Sequence, residues 1–378
     1  TVAHMLDYDD GSMPLGGLRC GSLLPAILAL GEKSHCSGKE TLLAYIVGFE
    51  VATRIGLACF TRHYELGWHT TATFGTIGAT AAAARLLKLD VDKSRAALGV
   101  AASLAGGLKR NFGTMTKPLH AGNAARNGVV AASLAEQGFT ADESVFDGPG
   151  NYGYVLGGGD ESDLHTEDLG QKFNICSGLE IKPYPSCRFT HAGIDAALQV
   201  KDKYALSPAD IAEVEYHTGS SIPLAAFRHQ PQTGLEGKFS LEFCAALSFV
   251  DSKVTLAQFT DESVKKPMIR DLISKTRITV DPEVLKDAFT PVEIRVKLKD
   301  GRVLLYKVEA AKGEPGNPLS QEELYGKFRD CASVALSPKE VDRLLELASN
   351  LESLEDIAPL MKVMTFGTKK IQRKKEGR

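Results

Sequence analysis

Residues 106–122 bring together chemical groups that could bind and activate an anion. The stretch holds three cations, one histidine and four glycines in seventeen residues, between two alanine-rich segments. Lys117 precedes Pro118, which favours an extended backbone at the lysine and a predictable side-chain direction. His120 then opens a helix, where free N–H groups attract an anion. The spacing predicts a site loop, and the alternative, a tight connection with a solvated Lys109-Arg110 pair, stays open.

An acidic run and a second histidine could take part in the same chemistry. The run Asp7-Tyr8-Asp9-Asp10 cannot place all its carboxylates on one face, so one of them points inward unless the run is a solvated turn. His69 follows the only tryptophan, among several hydroxyls, just before a helix of small residues. A histidine at such a helix start is a candidate for proton transfer, whereas a lone histidine is usually a hydrogen-bonded polar group.

Further cations lie where the second half of the chain begins. Residues 182–191 place Lys182, Arg188 and His191 around a stiff Pro-x-Pro segment, and Lys238 precedes another helix. Cations placed where an enolate develops stabilise it as well as bind it, so these groups suit a substrate with several carboxylates. The histidines lack the paired spacing of metal ligands. We therefore expect proton transfer and not metal chemistry.

Composition limits the classes of function. The 378 residues are 43% hydrophobic and 24% charged, which is typical of soluble globular proteins large enough for two domains. The formal net charge of −3 argues against nucleic acid as a partner. Seven cysteines without a C-x-x-C pair predict neither a zinc site nor a disulfide framework. The sequence pattern contains no apolar run of roughly 18 residues and no signal peptide, so we expect a cytoplasmic protein without a membrane partner.

Hydrophobic spacing predicts a helical first part. Apolar residues recur at helical spacing in the segments 26–31, 38–59, 75–89, 91–105 and 124–136. The inward-facing residues of the second segment are expected to be Leu42, Leu43, Ile46, Val47 and Phe49. The third segment consists largely of glycine and alanine, which let neighbouring helices approach closely, and is expected to be central. Residues 142–172 are rich in glycine and acidic residues, which predicts a long irregular connection.

A mixed part follows from about residue 181. Residues 211–218 have the pattern of a strand, and the strands 292–298 and 303–308 are joined by Asp300-Gly301, which predicts a β-hairpin. Helices return after residue 319, one of them with Pro338 in its first turn. The predicted fold is mainly α with a smaller α+β domain. Its expected parts are an all-helical domain of residues 1–177 and 315–378, discontinuous in sequence, and an α+β domain of residues 178–314.

Five ordered motifs span nearly the whole chain. They are His-Met-Leu-Asp-Tyr-Asp-Asp at 4–10, Gly-Trp-His-Thr-Thr-Ala-Thr-Phe-Gly at 67–75, Asn-Phe-Gly-Thr-Met-Thr-Lys-Pro-Leu-His-Ala-Gly at 111–122, Lys-Pro-Tyr-Pro-Ser-Cys-Arg-Phe-Thr-His at 182–191 and Lys-Phe-Ser-Leu-Glu-Phe at 238–243. Together they resemble the MmgE/PrpD family, which includes 2-methylcitrate dehydratases, cis-aconitate decarboxylases and iminodisuccinate epimerase. The resemblance implies a helical domain, an α+β lid with the site between them, a homodimer, and cofactor-independent chemistry on polycarboxylates. It also implies that the family's first few N-terminal helices are missing here.

The resemblance also carries site residues over by position. The positions that match the family's active site are Asp7, His69, Lys117 and Lys182, with His191 nearby. One departure concerns Gly17-Leu18-Arg19-Cys20, where the family has Gly-His-Pro-Ser with an acid/base histidine, because Leu18 cannot transfer a proton. Gly11 replaces a usual threonine. Cys187 stands where cis-aconitate decarboxylases have a site histidine, which argues against that branch.

Three hypotheses of function stay open. The first is an enzyme that removes a proton next to a carboxylate and eliminates water, most simply a hydro-lyase like 2-methylcitrate dehydratase. The second is an epimerase of a polycarboxylate such as iminodisuccinate, in which a Cys20 thiol activated by Arg19 serves the opposite face. The third is a non-catalytic dimeric relative. The candidate catalytic residues are His69, Lys117, Asp7 and Cys20, and the candidate substrate-binding residues are Lys182, Arg188, His191, His120, Lys238 and Arg19.

Overall fold

Helices dominate the molecule and strands are confined to smaller parts, so the predicted class, mainly α with a smaller α+β domain, is confirmed. The structure is a computed structural model that describes residues 1–12, 17, 20–159, 164, 166–251, 253–281 and 290–365. Its first helices are α1 (Cys20–Lys33), α2 (Gly38–Glu65), α3 (Thr70–Leu86), α4 (Val91–Leu104), α5 (Thr116–Glu136), α6 (Tyr152–Leu156) and α7 (Asn174–Gly178).

The central helix of this part is α3, as its small residues predict. Every residue of α3 except Arg85 is buried, and α1, α2, α4 and α5 pack around it. A Cβ at Gly78 would lie 2.6 Å from the backbone oxygen of Gly48 on α2, and one at Gly128 on α5 would lie 2.5 Å from the Ala79 Cβ. The glycines therefore allow α2 and α5 to approach α3 more closely than side chains would permit.

Two helices differ from the sequence expectation. Helix α1 begins at Cys20 and contains Pro25, whereas the helical spacing in the sequence was recognised only from residue 26. In α2, Phe49 is fully buried as expected, but Leu42 and Leu43 are 39% and 40% exposed, so their predicted inward orientation was wrong. The reason is that α2 turns Ala44 towards the core instead.

Within the described residues, one segment is long and apolar enough to cross a membrane by length and composition alone. This segment, Gly38–Cys59 of α2, was not recognised in the sequence pattern. More than half of it is buried inside the protein, where α2 packs against α1 and α3. The core helix of a globular protein passes the same test.

The α+β part is built on a four-stranded sheet. Its strands are β3 (Ile211–Thr218), β4 (Thr276–Val280), β5 (Val292–Leu298) and β6 (Val303–Val308), in the order β4-β3-β5-β6, after the short strands β1 (Asp10–Ser12) and β2 (Leu179–Ile181). The antiparallel pair β5–β6 confirms the predicted hairpin, and Gly301 in its turn has a φ of 91°, which glycine adopts without strain. The helices of this part are α8 (His191–Tyr204), α9 (Ser221–Ala225), α10 (Gly234–Gly237), α11 (Leu241–Val250), α12 (Asp261–Lys265) and α13 (Pro267–Lys275).

A second, two-stranded sheet joins the two parts. Strand β1 pairs antiparallel with β2, so that Asp10 lies opposite Ile181 and Ser12 opposite Leu179. This pairing was not predicted, because three-residue strands carry no periodic signal. It brings the acidic run of the first motif next to the fourth motif, which starts at Lys182.

The last helices return to the helical part. They are α14 (Gln321–Ala332), α15 (Pro338–Ser349) and α16 (Ala358–Met364). The backbone N–H of Gly38 donates to the Leu354 oxygen at 2.8 Å, and that of Ile357 donates to the Cys36 oxygen at 3.0 Å. The basic run of residues 369–375 lies outside the described residues. The domain boundaries after residues 177 and 314 stay predictions.

Candidate active site

Lys117 lies on a helix and not on the loop that was expected. Helix α5 begins at Thr116, so Lys117 and Pro118 form its first turn and His120 follows within the helix. Proline is compatible with a first turn, because the backbone N–H that it lacks would have no helical partner there. The Lys117 side chain is buried and only 4% of the residue is exposed. The predicted loop placement of Lys117 was therefore wrong.

Three lysines surround the buried carboxylate of Asp7. Lys117 Nζ donates to Asp7 Oδ1, Lys238 Nζ lies 3.8 Å from Oδ2, and Lys182 Nζ donates to the backbone oxygen of Asp7 at 3.1 Å. Burial opposes ionisation of Asp7, but Lys117 and the neighbouring cations outweigh it and lower the pKa of its carboxyl. Asp7 also has a φ of 53°, a left-handed conformation that costs free energy in a residue other than glycine. The surroundings that hold Asp7 in this conformation are these lysine contacts.

His4 and Asp9 extend this cluster and were not among the predicted site residues. His4 Nε2 lies 3.0 Å from Lys117 Nζ, and His4 Nδ1 lies 2.6 Å from Asp9 Oδ2. The His4 side chain is fully buried. Both residues belong to the motif at 4–10, but no spacing within it distinguishes His4 from a residue of the core. We call His4, Asp7, Asp9, Lys117, Lys182 and Lys238 the lysine cluster.

His69 lies beside the lysine cluster, at the start of α3. It occupies the N-cap position with an extended backbone, and its backbone N–H donates to the Gly107 oxygen at 2.9 Å. The ring is 3% exposed and stands edge-on to Phe112, with 4.9 Å between the ring centroids. Burial, and then the positive charge of Lys117, hold the pKa of His69 well below its usual value. His69 is therefore neutral near pH 7 and can accept a proton.

His120 lies behind His69. The Nδ1 atoms of the two rings are 3.0 Å apart, so one ring donates to the other. Gly107 makes room for this pair, because a Cβ there would lie 3.2 Å from His120 Nδ1. Burial, followed by Lys117, lowers the pKa of His120. The structure thus places this predicted substrate-binding residue against His69, and leaves His69 Nε2 as the ring nitrogen that is not shared with His120.

A small cavity lies between the two parts of the molecule. Its volume is about 30 Å³, which accommodates about one water molecule. Its walls include His69, Lys117 and Lys182, and apolar surfaces from Tyr64, Phe112 and Phe189. A polycarboxylate needs more room than this, so its entry requires the walls to move apart.

Arg188 also borders the cavity, but its charge is matched by two carboxylates. Its Nε lies 2.5 Å from Glu180 Oε2, and its Nη2 pairs with Glu314 Oε1. Burial opposes the charge of the guanidinium, and Glu180 and Glu314 outweigh burial and raise the pKa of Arg188. We call these three residues the arginine cluster. It joins β2, the segment before α8 and the loop after β6.

The other predicted binding residues of the α+β part occupy the edge of the site. Lys182 Nζ also donates to the Ser186 oxygen at 3.0 Å, and Lys238 Nζ donates to the Leu6 oxygen at 2.6 Å. His191 begins α8 and is fully buried. The distance from His191 Nε2 to the same Ser186 oxygen is 3.4 Å. Burial and then Arg188 hold the pKa of His191 well below its usual value. His191 is not part of the cavity wall.

The described surroundings of Cys20 oppose the activated thiol that the epimerase hypothesis requires. Cys20 begins α1, its backbone N–H donates to Asp10 Oδ1 at 2.6 Å, and its Sγ accepts from the Asp10 N–H at 3.4 Å. Burial, together with the negative charges of Asp10 and Asp9, raises the pKa of this thiol well above its usual value. Arg19, its proposed activator, and Leu18 lie outside the described residues, so a catalytic role of Cys20 stays a prediction.

In the part of the chain that the structure describes, no group of three or more histidine, cysteine, aspartate or glutamate side chains is arranged to hold a metal ion. His4 contacts Lys117 and Asp9, and His69 and His120 contact each other, whereas His63 and His191 lie against backbone or hydroxyl oxygens.

Comparison with known families covers both parts of the chain. Residues 1–165 match the MmgE/PrpD N-terminal domain, and residues 184–353 match the MmgE/PrpD C-terminal domain. The chain belongs to the MmgE/PrpD family. The resemblance inferred from the five motifs is thereby confirmed.

Several cis-aconitate decarboxylases of this family are similar to the chain. The Mus musculus enzyme is 31% identical over 377 residues, covering 96% of this chain and 76% of the relative. The Homo sapiens enzyme is 32% identical over 370 residues, covering 95% and 76%. The Aspergillus terreus enzyme is 28% identical over 376 residues, covering 92% and 76%. These matches support an enzyme of the lyase class.

Proposed function

We propose that this chain is a lyase that removes a proton next to a carboxylate of a citrate-class polycarboxylic acid and eliminates water, as 2-methylcitrate dehydratases do. The observation that carries the proposal is the position of neutral His69 on the same cavity wall as Lys117 and Lys182. A proton acceptor and two cations around one small space are the groups that such a reaction needs.

The charge of the lysine cluster supports an anionic substrate. With its three lysines protonated, Asp7 and Asp9 ionised, and His4 neutral because burial lowers its pKa, the cluster carries one positive charge in excess. Burial also lowers the pKa of Lys182 and Lys238, and a bound carboxylate would favour their charged forms. A buried charge without a partner is costly, and a substrate carboxylate would compensate it. The lysines that border the cavity are then placed to stabilise the negative charge that develops when a carbon-bound proton leaves.

The groups allow a balanced sequence of steps. His69 Nε2 accepts the proton from the carbon next to a carboxylate, and the electron pair of the broken C–H bond delocalises into that carboxylate as an enediolate. The electron pair of the enediolate then forms the new C=C bond, while the C–O bond breaks and its electrons leave with the hydroxyl group. The leaving hydroxyl takes a proton from Lys117 and departs as water. Proton transfer of this kind contributes about 10² to 10⁴ in rate.

Decarboxylation is the second candidate, and the specific observation in its favour is the similarity to cis-aconitate decarboxylases. In that reaction a C–C bond breaks, CO₂ leaves, and the electron pair accepts a proton. The apolar wall formed by Tyr64, Phe112 and Phe189 would favour loss of a desolvated carboxylate. Dehydration is placed first because Cys187 stands where the resemblance gives cis-aconitate decarboxylases a site histidine. Leu18 replaces a histidine of the family as a whole and so does not separate the two reactions.

The test is to incubate the protein in deuterium oxide with citrate, 2-methylcitrate, cis-aconitate and iminodisuccinate, and to follow each acid by NMR together with CO₂ release. We expect an alkene that retains every carbon of its substrate. Release of CO₂ would establish the second candidate, and deuterium exchange without an alkene would establish the epimerase.

Matched glutamine variants show whether an observed reaction belongs to this site. His69→Gln should abolish the reaction. His35→Gln should not, because His35 is exposed and, among the described residues, its ring pairs with Asp356, away from the cavity. No reaction of any acid would leave the non-catalytic relative as the explanation.

A further inference from the structure

The protonation of His4 is determined by its two partners. Lys117 Nζ is only a donor, so His4 Nε2 at 3.0 Å must present its lone pair. The proton of the neutral ring is then on Nδ1, where it is donated to Asp9 Oδ2 at 2.6 Å. Burial lowers the pKa of His4 against the opposing effect of Asp9, which keeps the ring neutral. Asp9, His4 and Lys117 thus form one directed chain of hydrogen bonds.

This chain leaves one N–H of the Lys117 ammonium group. Among the described residues, one of its three N–H groups is donated to Asp7 and one to His4. Lys117 borders the cavity. The distances from Lys117 Nζ to the ring centroids of Phe112 and Phe239 are 5.5 Å and 5.0 Å. Two fixed acceptors stop rotation of the ammonium group about its bond to the side chain. The third N–H is therefore held on the cavity side.

We propose that His4 and Asp9 are positioning residues, which orient the Lys117 ammonium group so that its third N–H meets a substrate carboxylate or leaving hydroxyl. This inference rests on the proposed function and assigns roles to two residues outside the predicted site. Misplacement of a catalytic group by about 1 Å can lower the rate by about 10². Two residues that hold the Lys117 ammonium group in place would therefore have a large effect on the rate.

The surrounding backbone encloses the hydrogen-bonded pair of His4 and Asp9. A Cβ at Gly21 would lie 2.6 Å from Asp9 Oδ2 and 3.5 Å from His4 Nδ1, so the first turn of α1 closes directly over the hydrogen bond between them. Asp9 also precedes β1, whose pairing with β2 fixes this segment against the α+β part. The pair is therefore held from both parts of the molecule.

Two substitutions at one position separate positioning from a merely structural role. His4→Gln carries an amide oxygen to the place of Nε2, and so keeps an acceptor for Lys117 while losing the donor to Asp9. His4→Asn places its amide near Nδ1, and so keeps the donor to Asp9 while losing the acceptor for Lys117. Positioning predicts that the asparagine variant loses about 10² in kcat with little change in KM, and that the glutamine variant loses far less. A structural role predicts the opposite order, because it depends on the contact with Asp9.

The measurements also distinguish this inference from the proposed function. ¹⁵N NMR of the full chain labelled at histidine should show His4 as the neutral Nδ1–H form at pH 7 and above, whether or not an acid is turned over. If no acid is turned over, the tautomer of His4 alone tests the inference, because an effect on kcat with little change in KM would not be seen in the affinity for a substrate analogue. A cationic or Nε2–H form of His4 would overturn the inference. Equal losses of kcat in His4→Gln and His4→Asn, or a higher kcat in His4→Asn than in His4→Gln, would also overturn it. Activity of the unaltered chain with equal losses would leave the proposed function standing.

Discussion

The lysine cluster and the arginine cluster border one cavity, yet they differ in charge balance. Arg188 is enclosed by Glu180 and Glu314, so its positive charge is compensated within the protein. The lysine cluster has three cations and two carboxylates, and its neutral histidine adds no charge. The comparison teaches that burial of a cation does not identify a binding group. What identifies it is positive charge that the protein leaves uncompensated beside a cavity.

The largest expected effect is that of Lys117→Met on the rate. Loss of a donor aimed at developing charge costs about 10² to 10³ in kcat. The variant should also lose some stability, because Asp7 loses its nearest partner while Lys238 and Lys182 remain close. Steady-state kinetics and thermal unfolding of the same preparation measure both effects. A loss of stability with an unchanged rate would break the comparison, since Lys117 would then be a structural cation like Arg188.

The matching change in the arginine cluster is Arg188→Met, which should act mainly on stability. It leaves Glu180 and Glu314 buried without their partner, and breaking a buried ion pair in this way costs about 3–5 kcal/mol. Urea unfolding measures the loss. The double variant Arg188→Met with Glu180→Gln, which removes one charge of each sign, should recover part of it. A double variant as unstable as the single one would contradict charge compensation as the role of Arg188.

A smaller effect concerns pH. The pKa of His69 is lower in the folded than in the unfolded protein, so between these values the unfolded chain binds more protons and stability falls as pH falls below about 6.5. His69→Gln removes this contribution. The decrease in melting temperature between pH 7 and pH 5 should therefore be smaller in His69→Gln than in the unaltered chain. An equal decrease in both proteins would mean that His69 is not held neutral by its surroundings.

The smallest effect is expected for Cys20→Ser. The thiol has a raised pKa and accepts a long contact from the Asp10 N–H, so it is protonated and has no part in the proposed steps. The rate of Cys20→Ser should stay within about threefold of the unaltered chain. A side chain that transfers a proton contributes about 10² to 10⁴ in rate, and the replacement of one that does not should not cost this factor. A loss within that larger range would restore Cys20 as a catalytic candidate and favour the epimerase.

The sequence contained enough information to bring part of the site together. Asp7, His69, Lys117 and Lys182 were selected from separate motifs, and the structure places them around one small space. Helix periodicity predicted the main helices of the first part, and the Asp-Gly turn predicted the β5–β6 hairpin. The helix start at Thr116 was missed, because Pro118 was read as favouring an extended backbone at Lys117 although the first turn of a helix accepts proline.

The rest depends on contacts between distant residues. Arg188 has the composition of a carboxylate-binding residue, and only the approach of Glu314, 126 residues away, shows that its charge is already matched. The strands β1 and β2 have three residues each, too few for a periodic pattern, although their pairing places Asp7 near Lys182. His4 has a directed role only because Asp9 and Lys117 lie on opposite sides of its ring.

Binding of tricarballylate, a tricarboxylate without a hydroxyl group to eliminate, tests the central claim most directly. Isothermal titration calorimetry would compare the unaltered chain, Lys117→Met, and the double variant Arg188→Met with Glu180→Gln. The uncompensated charge of the lysine cluster predicts at least about tenfold weaker binding, or about 1.4 kcal/mol, for Lys117→Met, and affinity near that of the unaltered chain for the double variant. Full affinity in Lys117→Met together with loss of binding in the double variant would contradict the account, because Arg188 would then hold the carboxylate.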